Sequence, residues 1–270
     1  MKNPGWLAGM VVLGMGLGLA AQNPQLPPRL EQGGSAPVSA VIPEDPDLER
    51  VIAPLAAQIQ ASFGRVLATA PQGMERTTGP GELPLGFFVA DVMRTEIARA
   101  VPGVRIAFTN SGGLRRDLPA GPVRVAEVYE VIPFDDEVVV AEYTGAQVVA
   151  ILKEAIQHRG GEPVSGLRVS LAGSAGQPRG SFTWSDGTAI DPAGVYRIAT
   201  SDYLLANGDA TPTLKQGRRV IHTSIPLRQM VIDFCERQGR AGQPILAPEG
   251  GRYRFSPDIA AAIQARTFHF

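Results

Sequence analysis

The chain has 270 residues, 44% of them hydrophobic and 19% charged, with a formal net charge of −1. That length carries one large domain with appendages, and the balanced charge excludes a nucleic-acid coat or a polybasic membrane anchor, which need clustered positive charge. A single cysteine, Cys235, excludes an intrachain disulfide.

Lys2 precedes an apolar run, residues 6–21, that ends in Gly18-Leu-Ala-Ala. This is the layout of a secretory signal peptide cleaved after Ala20 or Ala21, and the run is short for a membrane span. The expectation is an exported protein, periplasmic or extracellular, with a leader at 1–21 and no membrane span after cleavage. Residues 22–46 hold eight prolines and glycines, Pro24, Pro27, Pro28, Gly33, Gly34, Pro37, Pro43 and Pro46, and predict an extended tether. A domain at 47–270 follows.

Within it, Leu48, Val51, Ile52, Leu55, Ile59 and Phe63 recur at helical spacing, with Asp45 or Asp47 as cap. A short strand at 65–69 and a Gly/Pro-rich loop at 71–84 come next. Residues 85–100 form a helix with Phe88, Val89, Val92, Met93, Ile97 and Ala98 on its apolar side. A strand at 104–109 runs into Asn110-Ser-Gly-Gly, a turn signal. A short helix or turn at 123–130, a strand over 137–144 and a helix at 145–158 complete the first half. Two strands, 167–171 and 181–184, flank a loop at 174–180, and another at 196–201 leads into Asp202-Tyr-Leu-Leu-Ala-Asn-Gly-Asp209. An amphipathic helix from 225 turns Leu227, Met230, Val231 and Phe234 inward, with Cys235 as a small buried hydrophobe. A strand at 252–255 and a helical tail at 258–266 close the chain. Helices and strands do not alternate strictly, so the fold class is α+β, a complex mixed α/β domain with one mixed sheet and flanking helices.

The chemistry begins with an absence. A two-metal hydrolase needs converging His, Asp and Asn ligands, and the three histidines, His158, His222 and His269, include no pair at ligand spacing. There is no P-loop, nucleophile elbow or dinucleotide-binding glycine pattern. Three local features remain. Asn110-Ser-Gly-Gly-Leu-Arg115 follows a strand; its glycines admit close backbone approach, and Arg115 offers a fork for phosphate oxygens. Phe134 sits at a loop-to-strand junction, where a ring can stack on a nucleobase for about 1–3 kcal/mol. Tyr203 is a second aromatic, and beyond it Asp209 stands where a carboxylate can accept from both ribose hydroxyls. Each also has a purely structural reading: a capped turn with a surface arginine, a core phenylalanine, and an Asn-Gly-Asp turn.

Taken in order and spacing, Asn-x-Gly-Gly-Leu-Arg, then Pro-Phe, then aromatic-Leu-x-x-x-Gly-Asp resembles the C-terminal domain of 5'-nucleotidases and periplasmic UDP-sugar hydrolases. Pro84-Leu-Gly-Phe-Phe-Val-Ala-Asp-Val-Met93, Tyr143-Thr-Gly145 and Glu249-Gly-Gly-Arg-Tyr253 add matches, and the resemblance runs over residues 47–255. It implies that Phe134 and Tyr203 sandwich a base, Asp209 binds ribose, and Asn110, Gly112 and Arg115 contact the nucleotide, the arginine near its phosphate end. Several departures accompany it. Tyr203 replaces the commoner Phe, and Asn207-Gly-Asp-Ala210 replaces Gly-Gly-Asp-Gly, which predicts a left-handed Asn207. An arginine of some relatives has no match near Gly79, Arg76 lying slightly upstream. Asp135, Asp136 and Glu137 are expected to face solvent.

The resemblance further implies that no cofactor binds this chain, divalent metals belonging to a metallophosphoesterase domain that lies upstream in relatives. The leading expectation is therefore the substrate-binding half of a split nucleotide hydrolase, working with a separate metallophosphoesterase on a nucleoside or nucleotide ligand. The alternatives are a stand-alone nucleoside-binding protein and a ligand-free interaction module.

Overall fold

A computed structural model describes residue 39 and residues 43–270. The expected leader at 1–21 and most of the 22–46 tether lie outside the described residues. Contacts divide the chain into Met1–Leu48 and a compact unit, Glu49–Phe270.

Helix α1, Pro46–Phe63, begins where the Asp45 carboxylate accepts the N–H groups of Asp47 (2.9 Å) and Leu48 (3.3 Å), an N-cap that satisfies two otherwise orphaned donors. Its apolar stripe is not buried: Val51, Ile52, Leu55 and Ile59 are each about half exposed or more. Only Phe63, at its end, touches an aromatic neighbour, meeting Tyr129 edge-on at 4.7 Å. After α1 come β1 (Val66–Ala70), α2 (Pro84–Ala100), β2 (Val104–Phe108), β3 (Gly121–Arg124), α3 (Val125–Val131), β4 (Glu137–Thr144) and α4 (Gly145–Arg159). The second half runs β5 (Val164–Ser165), β6 (Leu167–Ser174), β7 (Gln177–Trp184), β8 (Val195–Ser201), α5 (Asp202–Asn207), β9 (Arg218–Pro226), α6 (Leu227–Arg240), β10 (Tyr253–Phe255) and α7 (Pro257–Gln264).

The mixed α/β expectation is met, but the strands form three sheets rather than one: a pair β1-β3, a trio β10-β6-β7, and five strands in the order β5-β2-β8-β4-β9. The five-stranded sheet is mixed, with β2 and β8 parallel and β4 antiparallel to β8 and β9. Alternation divides its side chains between two cores. Val138 and Val140 of β4 join α2, α3 and α6 on one face, while Ala141 and Tyr143 join α4 and β6 on the other. Buried on both faces, β4 reads as an almost unbroken apolar run.

Three local expectations fail, and one strand is added. Ala98 is exposed, because the last turn of α2 (98–100) stands in solvent, while its first turns are buried all round, Phe87 and Ala90 included. The loop at 174–180 is mostly strand: β6 and β7 pair down to Ser174 opposite Gln177. Residues 218–226, which carry no alternating pattern, form β9. Finally, Asn207 is the last residue of α5, and the left-handed positions are Gly208 (φ 76°) and Asp209 (φ 46°).

Candidate functional site

The register of the large sheet explains why distant segments meet. Ala107 of β2 lies beside Ala199 of β8 in parallel, and Val138 of β4 lies opposite Ser201 in antiparallel. The C-terminal ends of β2 and β8 therefore share one edge with the N-terminal end of β4. The segments after β2 (109–115), before β4 (132–136) and after β8 (202–209) all emerge there. Strand β5 pairs antiparallel with β2, Val164 opposite Phe108, so the residues entering β5 come to the same edge.

A cavity of about 330 Å³ opens at that edge, lined by Asn110, Gly112, Gly113, Arg115, Phe134, Asp136, Arg159, Tyr203 and Asp209. All six residues singled out in the sequence are among them. Phe134 and Tyr203 keep substantial exposure, 38% and 46%, so neither is the core aromatic of the structural reading.

The Asn110 loop is a single 3-10 turn in which Gly113 N–H donates to the Asn110 carbonyl (3.1 Å). Gly113 has a steric reason: a Cβ there would stand 2.9 Å from Asn110 Oδ1. Below the turn lies Glu162, only 1% exposed, whose Oε2 accepts the Ser111 N–H at 2.6 Å. Burial holds the Glu162 carboxyl above the usual carboxylate range, against the pull of the Ser111 hydrogen bonds and of Arg159. Its other oxygen faces Arg159 Nε at 3.2 Å.

Arg159 continues to Asp209, with Nη2 3.7 Å from Oδ2. Asn110 Nδ2 donates to the same oxygen at 3.0 Å. One hydrogen bond and one ion pair thus hold this oxygen of Asp209, and the left-handed backbone at Gly208 and Asp209 turns the carboxylate to the cavity after α5 ends. Aspartate tolerates that conformation better than most residues. Arg115 is held differently. Its N–H bonds the Val131 carbonyl at 2.9 Å, and its guanidinium lies 5.0 Å from the centre of the Phe134 ring. Among the described residues that guanidinium has no carboxylate partner, which leaves a cation available to an anion at the cavity.

The Phe134 segment is fixed from below by Arg228, whose Nη1 donates to the carbonyls of Ile132 (3.2 Å) and Phe134 (3.1 Å) and whose Nη2 pairs with Asp135. The Tyr203 segment is fixed by Asp202, which accepts the N–H groups of Glu137 (3.0 Å) and Tyr203 (2.8 Å). The solvent-facing expectation for the acidic run fails at two positions. Asp136 is partly buried and lines the cavity, while the Glu137 carboxylate accepts from Ser224 N–H and meets His222 Nδ1 at 3.1 Å. Arg76 pairs with Asp117 at 3.4 Å and does not line the cavity.

Sequence reasoning missed Arg159, Glu162, Arg228 and the inward Asp136. The one available signal was Arg159-Gly-Gly-Glu162, charges flanking two glycines at a helix end.

The sequence family described as 5'-nucleotidase, C-terminal domain, matches residues 62–216, more than half of the chain. The chain belongs to that family. Among curated relatives of this 5'-nucleotidase C-terminal domain, the trifunctional nucleotide phosphoesterase protein YfkN of Bacillus subtilis is 32% identical over 144 residues, 47% of this chain and 9% of that protein. Protein UshA of Escherichia coli is 26% identical over 157 residues, 55% of this chain and 27% of that protein. Among solved structures, the 5'-nucleotidase precursor from Thermus thermophilus superposes with a TM-score of 0.66 at 26% identity, covering 80% of this chain and 44% of that one. NAD nucleotidase from Haemophilus influenzae shares the fold, with a TM-score of 0.58 at 17% identity, over 79% of this chain and 42% of that one. The chain spans less than half the length of each of these proteins. Among the described residues of this family member, no group of three or more His, Cys, Asp or Glu side chains is placed to hold a metal ion, and no helix is long and apolar enough to cross a membrane.

Proposed function

We propose that residues 47–270 bind a nucleoside or nucleotide at this cavity and serve as the substrate-binding part of nucleotide hydrolysis. Divalent metals and bond-breaking groups come from a separate metallophosphoesterase. The protein works outside the cytoplasm, exported by the leader at 1–21 with 22–46 as its tether. The observation that supports the binding role is the convergence of Asn110, Arg115, Phe134, Tyr203 and Asp209, drawn from three segments of the chain, on one cavity.

The chemistry of the roles follows from the contacts. The exposed rings of Phe134 and Tyr203 offer flat apolar faces to a base. Asp209 has one oxygen engaged by Asn110 and Arg159, which leaves Oδ1 to accept from ribose hydroxyls. Arg115, without a carboxylate partner, faces a phosphate.

Calorimetric titration of the purified chain with adenosine, AMP and UDP-glucose tests the reading. Phe134→Ala and Tyr203→Ala should each weaken binding by about 1–3 kcal/mol, and Asp209→Ala should abolish the preference for ribose over 2'-deoxyribose. With added divalent metal, the chain alone should leave AMP intact. Failure of the wild type to bind any of the three ligands, or guanosine, would sink the proposal and leave the interaction module.

A stand-alone nucleoside-binding protein is the second reading. It is favoured by the ion-pairing of Arg159 and Arg76 to carboxylates, which leaves Arg115 as the phosphate-facing cation. Adenosine binding as tightly as AMP would select it.

A further inference from the structure

Asp136 has no part in the roles above, yet it lines the same cavity as both aromatic rings. It lies two residues after Phe134, and it feels the charge of Asp202, which immediately precedes Tyr203. The side chain therefore stands where the two ring-bearing segments come together. Its backbone is fixed, the carbonyl accepting the Leu227 N–H at 2.9 Å. Its carboxylate has no hydrogen bond or ion pair among the described residues, although the group is partly buried. Burial first, then the charges of Asp202 and Asp135, hold this carboxyl above its ordinary value. A half-desolvated acceptor repelled by two neighbours has the most to gain from a ligand that brings hydrogen-bond donors.

We propose that Asp136 reads the base held between Phe134 and Tyr203 and makes the site selective for guanine. This rests on the nucleoside reading of the cavity. An ionised carboxylate only accepts, and it has two oxygens side by side. Guanine alone among the common bases presents two neighbouring donors on one edge, N1–H and the N2 amino group, both borne on C2, so both oxygens are satisfied together. Hypoxanthine keeps N1–H but lacks the amino group. Uracil flanks its one N–H with carbonyls. Adenine and cytosine set a ring-nitrogen lone pair beside their amino groups, and that lone pair opposes the second oxygen.

The test compares guanosine with inosine, which differ by the 2-amino group alone, in calorimetric titrations of the full chain and of its D136N variant at neutral pH. Adenosine serves as a third ligand. The wild type should bind guanosine about tenfold or more tightly than inosine, the discrimination expected of a good bidentate pair. In D136N one acceptor oxygen becomes a donor amide, and the guanosine-to-inosine ratio should fall close to one while inosine affinity changes little. Because asparagine preserves the shape of a partly exposed side chain, unchanged circular dichroism should accompany that loss. If wild-type protein binds the two nucleosides equally, the guanine inference is overturned and the nucleoside site stands. A ratio retained in D136N assigns selectivity to another group and also overturns it. Failure of every nucleoside to bind the wild type would remove both this inference and the function on which it rests.

Discussion

Arg228 does not line the cavity, yet it decides where Phe134 sits. Its side chain is 11% exposed, and its guanidinium lies 4.0 Å from the centre of the Tyr129 ring while holding two carbonyls and the Asp135 carboxylate. A lysine has no planar fork with which to reproduce those bonds. Truncation leaves two carbonyls without their donor and a carboxylate without its cation, and hydrogen bonds to charged groups are worth about 1.5–3 kcal/mol. Arg228→Ala should therefore destabilise the chain by about that amount in urea unfolding. It should also weaken nucleoside binding through the displaced ring, with Arg228→Lys restoring less than half of either loss. An unchanged midpoint and affinity would show that the clamp does not position the ring.

Helix α1 presents the opposite case, an element whose local signals are clear and whose tertiary contacts are few. Asp45 caps it and its stripe has helical spacing, yet none of its 18 residues is buried and Pro54 lies inside it. An interior proline costs a helix about 3 kcal/mol, and isolated helices of this length are marginal without packing. The domain should be nearly indifferent to its loss. A chain beginning at Ser62, which keeps the Phe63 contact with Tyr129, should unfold within about 0.5 kcal/mol of the full chain, the range of surface changes away from packed features. A larger loss would mean that the stripe is covered in solution. Strand β9 is the complementary case. It is exposed along most of its length and broken by irregular pairing with β4, so nothing in its composition announces a strand; β4 supplies the hydrogen bonds that make it one.

Across the whole molecule, two cores lie on opposite faces of the five-stranded sheet, and Cys235 reports on one of them. It is 1% exposed in the cluster built by α2, α3 and α6, and burial pushes its thiol up to about 12. Since the thiolate is the reactive form, alkylation must wait for the core to open. Iodoacetamide at pH 8 should leave Cys235 unlabelled in native buffer and modify it fully in denaturant, at a rate that follows unfolding. Labelling in native buffer at the speed of a free thiol would contradict the described core.

Periodicity placed α2, β4, α4 and α6 within a residue or two at most ends, because the pattern of apolar residues along a helix or strand is a local property that survives unfolding the chain on paper. Motif spacing also marked Asn110, Arg115, Phe134, Tyr203 and Asp209, whose side-chain types suit a base, a sugar and an anion. Neither could say that Arg159 would reach Asp209, that Asp136 would turn inward, or that the α1 stripe would stay in water. Those outcomes depend on which strands pair. The parallel run of β2 with β8, the antiparallel insertion of β4, and β5 folding back along β2 bring four segments to one sheet edge. Side-chain direction and burial at that edge are set by neighbours remote in the chain, and no single stretch of residues contains them.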